Sequence, residues 1–160
     1  MSNATSGQAN PKNMRASDWL GLIPHRDPFL FIDEEVEIAN RRIVVRKKVE
    51  GDAEFFRGHY PGEPIMPGVL LCECCFQAGA LLIAHILGKE RAAAGVPVLT
   101  RISDARFKHI VRPGDTLTAE VTLDDELDGA YFLTGRLSAG DQHVLRVSFA
   151  CMLASRELRQ

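Results

Sequence analysis

The run VLLCECCFQAGALLIAHIL, residues 69–87, decides the fold. Its 19 residues are apolar with few breaks, and as an α-helix they span roughly 28 Å. That length would cross a bilayer. Glu73, Gln77 and His85 interrupt the run, however, and polar or charged side chains inside a membrane are costly. A core helix buried on nearly every side is the better reading, with no membrane insertion. Pro67 suits the first turn, where its missing N–H costs nothing, and Gly88 suits the stop.

A helix of this kind has to be wrapped, and the flanking sequence supplies strands. PFLFIDEEVEI (28–38) and RRIVVRKKV (41–49) read as two strands joined at Ala39-Asn40. GDAEFFRGHYPGEPIMPG (51–68) is a loop punctuated by Gly and Pro. Past the helix, VPVLTRISDARFKHIV (96–111) is a mixed stretch with a kink. In TLTAEVTL (116–123), Leu117, Ala119, Val121 and Leu123 face one way and the polar residues the other. Asp128-Gly129 is a hairpin signal, AYFLTGRLS follows, and Gly140-Asp141 turns the chain again. Leu145, Val147, Phe149, Cys151 and Leu153 then share one face of the last strand. The predicted class is α+β: a curved antiparallel sheet of about five to six strands around one long central helix.

Composition is ordinary for a globular chain of 160 residues, with 46% hydrophobic and 25% charged. One domain over residues 14–160 is expected, after a polar lead-in (1–13) expected to be disordered. Ser17-Asp18 is placed to cap a short turn through Trp19, Leu20 and Leu22. A net charge of −2 gives no reason to expect nucleic acid or an anionic membrane as partner. No charged segment followed by an apolar one opens the chain, so a cytoplasmic protein with reduced thiols is expected.

Three of the four cysteines fall within residues 72–75. On a helix, Cys74 lies about 200° from Cys72 and about 100° from Cys75, so the three thiols cannot converge on one ion. Cys72-x-x-Cys75 has a redox spacing, but it begins five residues after Pro67, inside the apolar run and away from the dipole that lowers a thiol pKa. Packing is the simpler role, and no metal is expected.

Glu73 is the only acid of that run. Gln77 falls about 40° from it on the helical wheel, with Val69, Ala80 and Ala84 also within about 40°. Small neighbours leave space beside the carboxyl, and desolvation there favours the protonated form. Such a group suits a general acid. The alternatives are a charge satisfied by an arginine, or a place at a subunit interface. His59 stands in the rigid loop before the helix, whose first N–H groups, at Gly68 and Val69, suit developing negative charge. A base, an acid and an oxyanion donor together suit proton abstraction beside a carbonyl with loss of a β-leaving group. His25, His85, His109 and His143 have no comparable setting and read as structural or solvent-facing.

At these residues the chain resembles the β-hydroxyacyl-acyl-carrier-protein dehydratases, a hotdog-fold family. FRGHYPGEPIMPGVLLCE carries the His-aromatic-Pro-Gly-x-Pro-Ile-Met-Pro-Gly-Val-Leu signature, with the glutamate 14 residues after the histidine. IPHRDPFLFID and ARFKHIVRPGDTL resemble two further family segments, and the likeness spans roughly residues 20–153. Asp27, Tyr60, His109 and Ile110 depart from the residues commoner there, as do the cysteines around Glu73. The family's isomerising branch has an aspartate where Glu73 stands, so the glutamate favours the plain dehydratase.

The resemblance implies His59 as catalytic histidine and Glu73 as catalytic acid. Gly68 would bind the thioester oxygen, with Val69 beside it and Gln77 positioning the acid or a water. It implies a (3R)-3-hydroxyacyl thioester on an acyl carrier protein or coenzyme A, and no cofactor. It also implies a homodimer whose sites draw the histidine and the acid from different protomers, with trimers of dimers as the further assembly. Arg101, Arg106 and Lys108 are candidates for meeting an acidic carrier. The runner-up chemistry is thioester hydrolysis on the same fold. A third reading is an acyl-binding homologue without catalysis.

Overall fold

Six strands and one long helix make up most of the described chain, residues 21–155 of a computed structural model. The expected lead-in (1–13) and the cap at Ser17-Asp18 with Trp19 and Leu20 lie outside the described residues. In chain order the elements are β1 (Glu34–Ala39), β2 (Arg42–Lys48), α1 (Gly68–Ala94), β3 (Gly95–Phe107), β4 (Thr116–Leu127), β5 (Ala130–Ala139) and β6 (Gln142–Ser155). A single 3₁₀ turn, Glu54–Arg57, lies in the long loop. All neighbours pair antiparallel, in the order β1-β2-β4-β5-β6-β3.

Every residue of α1 from Cys74 to Ala84 is buried, and the helix packs against five of the six strands. The helix is long and apolar enough to cross a membrane, but 72% of its most apolar window is buried inside the protein. This is the hotdog arrangement, and the all-round apolar run is its reason. Leu117, Ala119, Val121 and Leu123 of β4 all face the core, as their alternation predicts. On β6, Leu145, Val147, Phe149 and Cys151 are buried, with Leu153 partly so.

Helix and sheet meet most closely at two glycines. A Cβ on Gly135 of β5 would stand 2.7 Å from Cys75 Cβ, and one on Gly79 would stand 2.8 Å from Phe149 Cζ. The Phe76 and Phe149 rings meet edge to face beside that second contact, 4.9 Å apart. The hairpin at Asp128-Gly129 has both residues at positive φ, 51° and 78°, as a type I′ turn requires.

Several expected boundaries move. The first strand starts at Glu34 rather than Pro28, because Phe29 and Phe31 give their backbone bonds to the buried Gln77 amide instead of a ladder. The β1–β2 turn falls at Asn40-Arg41, one residue later than expected. Gly88, with φ 75° and ψ 165°, does break the helix, but helical residues resume after it and run to Ala94. The segment KERAAA is rich in strong helix formers, which explains the extra turns. The kink in the next segment is real: β3 slips register against β6 at Leu99/Arg101 and again at Ser103/Arg106, with Asp104 at φ 51°.

Among the described residues β3 is an edge strand that pairs only with β6, and its last ten residues are exposed. Val98, Leu99, Ile102 and Phe107 are among them. A long apolar edge is a template for pairing with another chain.

Gly135→Ala forces a methyl group onto Cys75, whose Cβ is tied to the helix backbone. It is expected to destabilise the fold by about 1–3 kcal/mol. Urea unfolding at fixed protein concentration measures this, and an unchanged midpoint contradicts the contact as described.

Candidate functional site

The loop holds His59 from three directions. Its backbone N–H donates to Phe55 O at 3.0 Å, and its carbonyl accepts from Ile65 N at 3.0 Å. Its ring Nδ1 lies 2.8 Å from Ile65 O. A carbonyl only accepts, so Nδ1 carries the hydrogen, and Nε2 of the neutral ring keeps a lone pair. The Tyr60 ring stacks on the imidazole with centroids 4.0 Å apart. Met66 N–H donates to Val111 O at 2.9 Å and pins the loop's far end to the segment after β3.

Two residues later the helix begins. Leu70 and Leu71 both donate to Pro67 O, while no described residue accepts from Gly68 or Val69 N–H. Those are the two orphan donors at the helix N-terminus. The Phe107 ring lies where a Gly68 side chain would stand, 3.0 Å from an added Cβ. Val69 is 75% exposed, so its side chain faces outward from this protomer.

Glu73 sits one and a half turns into α1, where the N-terminal segment crosses the helix. Gln77 makes this crossing. Its Oε1 accepts from Phe31 N–H at 2.8 Å, while its Nε2 donates to Phe29 O at 3.0 Å and to Glu73 Oε1 at 2.9 Å. The amide is fully buried and holds one carboxyl oxygen of Glu73 directly. Burial pushes the Glu73 carboxyl above the ordinary carboxylate range, against the opposing effect of the Gln77 hydrogen bond. His25 Nε2 lies 3.7 Å from Glu73 Oε1. The sequence alone reads His25 as structural or solvent-facing. No local pattern joins two residues 48 positions apart, and only the Gln77 crossing brings them together.

His59 and Glu73 share no hydrogen bond or ion pair among the described residues. A cavity of about 660 Å³ lies beside the crossing, lined by Phe29, Phe31, Lys47, Phe55, Met66 and Leu70 among others. It reaches neither of the two. The candidate base and acid thus make no direct bond to each other among the described residues. Of the candidate cations, Arg106 is paired with Asp104 at 2.7 Å, and Asp104 also takes Arg146. Arg101 and Lys108 are exposed. His109 Nδ1 meets the carbonyl of His143, away from the helix, and His85 is half-buried on α1.

All four cysteines are free and buried. Burial pushes Cys74 and Cys151 up to about 12 and Cys75 well above its ordinary value. Cys72 is raised too, by burial and then by the Glu73 charge. Thiols held protonated are neither nucleophiles nor ready ligands, which fits packing.

A family model described as a FabA-like domain matches residues 23–148. The chain is 41% identical over 137 residues to the 3-hydroxyacyl-[acyl-carrier-protein] dehydratase FabZ of Anaeromyxobacter dehalogenans, covering 85% of this chain and 88% of the relative. It is 43% identical over 122 residues to the protein of that name from Symbiobacterium thermophilum, covering 76% and 84%. Among solved structures it superposes on the dehydratase heterocomplex ApeI:P of Xenorhabdus doucetiae with a TM-score of 0.72 at 13% identity, covering 87% and 92% of the two chains. At that identity the superposition speaks for the fold alone.

The thiols give a direct check. Ellman's reagent added to the native protein at pH 8 is expected to label almost none of the four cysteines within minutes, and all four after denaturation. Rapid native labelling of two would restore a redox role for Cys72 and Cys75.

Proposed function

The chain belongs to the FabA-like family, and on that premise we propose that it dehydrates 3-hydroxyacyl thioesters of an acyl carrier protein to trans-2-enoyl thioesters, in fatty-acid biosynthesis. The observation that carries the proposal is the opposite preparation of two groups. His59 has its Nδ1 hydrogen committed to Ile65, so Nε2 is free to accept a proton. Glu73 is held towards its protonated form by burial. One is a ready base, the other a ready acid.

In the reaction, His59 Nε2 takes the C2 proton of a (3R)-3-hydroxyacyl thioester. The Gly68 N–H, with the Val69 N–H beside it, donates to the thioester oxygen as negative charge develops there. The C2–C3 double bond forms as the C3–O bond breaks. The oxygen leaves with its electron pair, takes the Glu73 proton and departs as water. None of these steps calls for a metal or an organic cofactor.

The two groups meet across a homodimer in this proposal, the base of one protomer facing the acid of its partner. The exposed apolar side chains on the β3 edge support this, and His59 and Glu73 make no direct bond within one chain. Antiparallel pairing of two β3 edges would extend the sheet and cover Val98, Leu99 and Ile102. The carrier, an acidic partner, is placed against Arg101 and Lys108, with Arg106 the weaker contact because Asp104 already pairs with it. Assembly of three such dimers is the larger form proposed.

Turnover of a 3-hydroxyacyl carrier-protein thioester, followed by enoyl absorbance, tests the proposal. His59→Ala and Glu73→Gln are each expected to lose about 10²–10⁴-fold in kcat. The parent kcat should fall at high pH as Glu73 ionises, on a limb lying above the ordinary carboxylate range. Release of free thiol without enoyl product would mean hydrolysis instead, and unaltered activity in both variants would overturn the assignment.

Stability gives a further sign. A carboxyl whose native pKa is raised loses stability as pH rises from its unfolded pKa to its native one, and the cost is complete above that. Glu73→Gln is therefore expected to gain in Tm relative to the parent as pH rises above the ordinary carboxylate range, as seen by thermal denaturation monitored by circular dichroism. A loss of relative Tm over that range contradicts a strained, buried carboxylate.

A further inference from the structure

We propose that His25 is a positioning residue for Glu73: with Gln77 it directs N–H donors at Oε1, and so reserves Oε2 for the proton that leaves with the hydroxyl. The inference rests on the dehydratase reading, and deepens it.

Two nitrogens converge on one carboxyl oxygen. Gln77 Nε2 lies 2.9 Å from Glu73 Oε1, and His25 Nε2 lies 3.7 Å from the same atom. No described residue hydrogen-bonds Oε2. The longer distance falls just outside a hydrogen bond. The terminal torsion of a glutamate is soft, however, and a small rotation brings Oε1 into reach.

The tautomer follows from the other side of the ring. His25 Nδ1 is buried and has no hydrogen-bond partner among the described residues. A buried N–H without an acceptor is rarer and more costly than an acceptor left idle. The ring hydrogen therefore sits on Nε2 and faces Glu73. Burial and the neighbouring Arg26 push the imidazolium down, which keeps the ring neutral.

The placement is fixed by the chain itself. Arg26 Nη1 donates to Ile23 O at 2.8 Å and also to His25 O, and Phe29 N–H donates to Arg26 O at 2.8 Å. Phe29 and Phe31 are then tied to Gln77. Both donors on Oε1 thus belong to one connected unit.

Oε1, with its lone pairs engaged by donors, takes the carbonyl role, and the proton resides on Oε2. Once Oε2 gives that proton to the departing hydroxyl oxygen, the charge spreads over both oxygens, and the two donors stabilise it. His25 acts through Glu73 and touches no substrate. The titratable neighbours are few: Arg26 beside His25, Cys72 and Cys74 on α1, Cys151 on β6, Lys47 of β2 near Cys74, and in the proposed dimer the partner's His59. The thiols stay uncharged, so loss of His25 is the change that moves Glu73.

The test is kcat and KM against pH for the parent, for two variants without a donor (His25→Ala and the volume-filling His25→Leu), and for His25→Gln, whose amide N–H reaches the same place. Whichever donor-free variant folds is expected to lose about tenfold in kcat, with its alkaline limb moved about one unit to higher pH. KM should change little, and His25→Gln should restore most of the limb and the rate. An alkaline limb unmoved in the donor-free variants overturns the proposal, whatever the fall in kcat. So does a His25→Gln enzyme that behaves like His25→Ala. A parent that does not dehydrate 3-hydroxyacyl thioesters at all would instead fail the underlying reading, before His25 is reached.

Discussion

A helix apolar on every side can persist only inside something, and each polar group it carries inward must be met there. That constraint shapes the protein. The strands from β1 to β6 form one antiparallel sheet around α1, and Gly135 and Gly79 let the two surfaces close. The helix brings a buried amide and a half-buried carboxyl with it. Gln77 resolves both by drawing the Phe29–Phe31 backbone across the helix and hydrogen-bonding Glu73. The crossing is a packing necessity and also the frame of the candidate acid.

Base and acid are prepared by different means. His59 gains its tautomer from a local hydrogen bond within a Gly/Pro-rich loop, six residues from its acceptor. Glu73 gains its proton affinity from burial. Neither preparation depends on the other. The cysteines beside Glu73 add apolar volume without charge, because burial keeps their thiols protonated.

Much of this was legible in the residues. The helix, the alternation in β4 and β6, the turn residues and the paired candidates His59 and Glu73 all follow from local pattern. Features set by contacts between distant segments were not legible. Phe29 and Phe31 have strand-forming side chains, yet Gln77 takes their backbone bonds. Gly88 interrupts the helix as a left-handed residue should, but the alanine-rich turn after it resumes helix. His25 lies near Glu73 only because of that same crossing. The expectation of a dimer rests on the apolar stripe of the helix and on the resemblance. Within the fold it acquires a physical motive, the exposed apolar side chains on the β3 edge.

The central claim is that each site draws His59 and Glu73 from two protomers, and subunit complementation tests it most directly. His59→Ala and Glu73→Gln proteins, each inactive alone, are unfolded together and refolded as a mixture. A shared site predicts recovery of about a quarter of the parental activity, since half the dimers are mixed and each mixed dimer holds one intact site of two. No recovery, in a mixture shown to contain mixed dimers, would place the base and the acid of each site in a single chain and contradict the account.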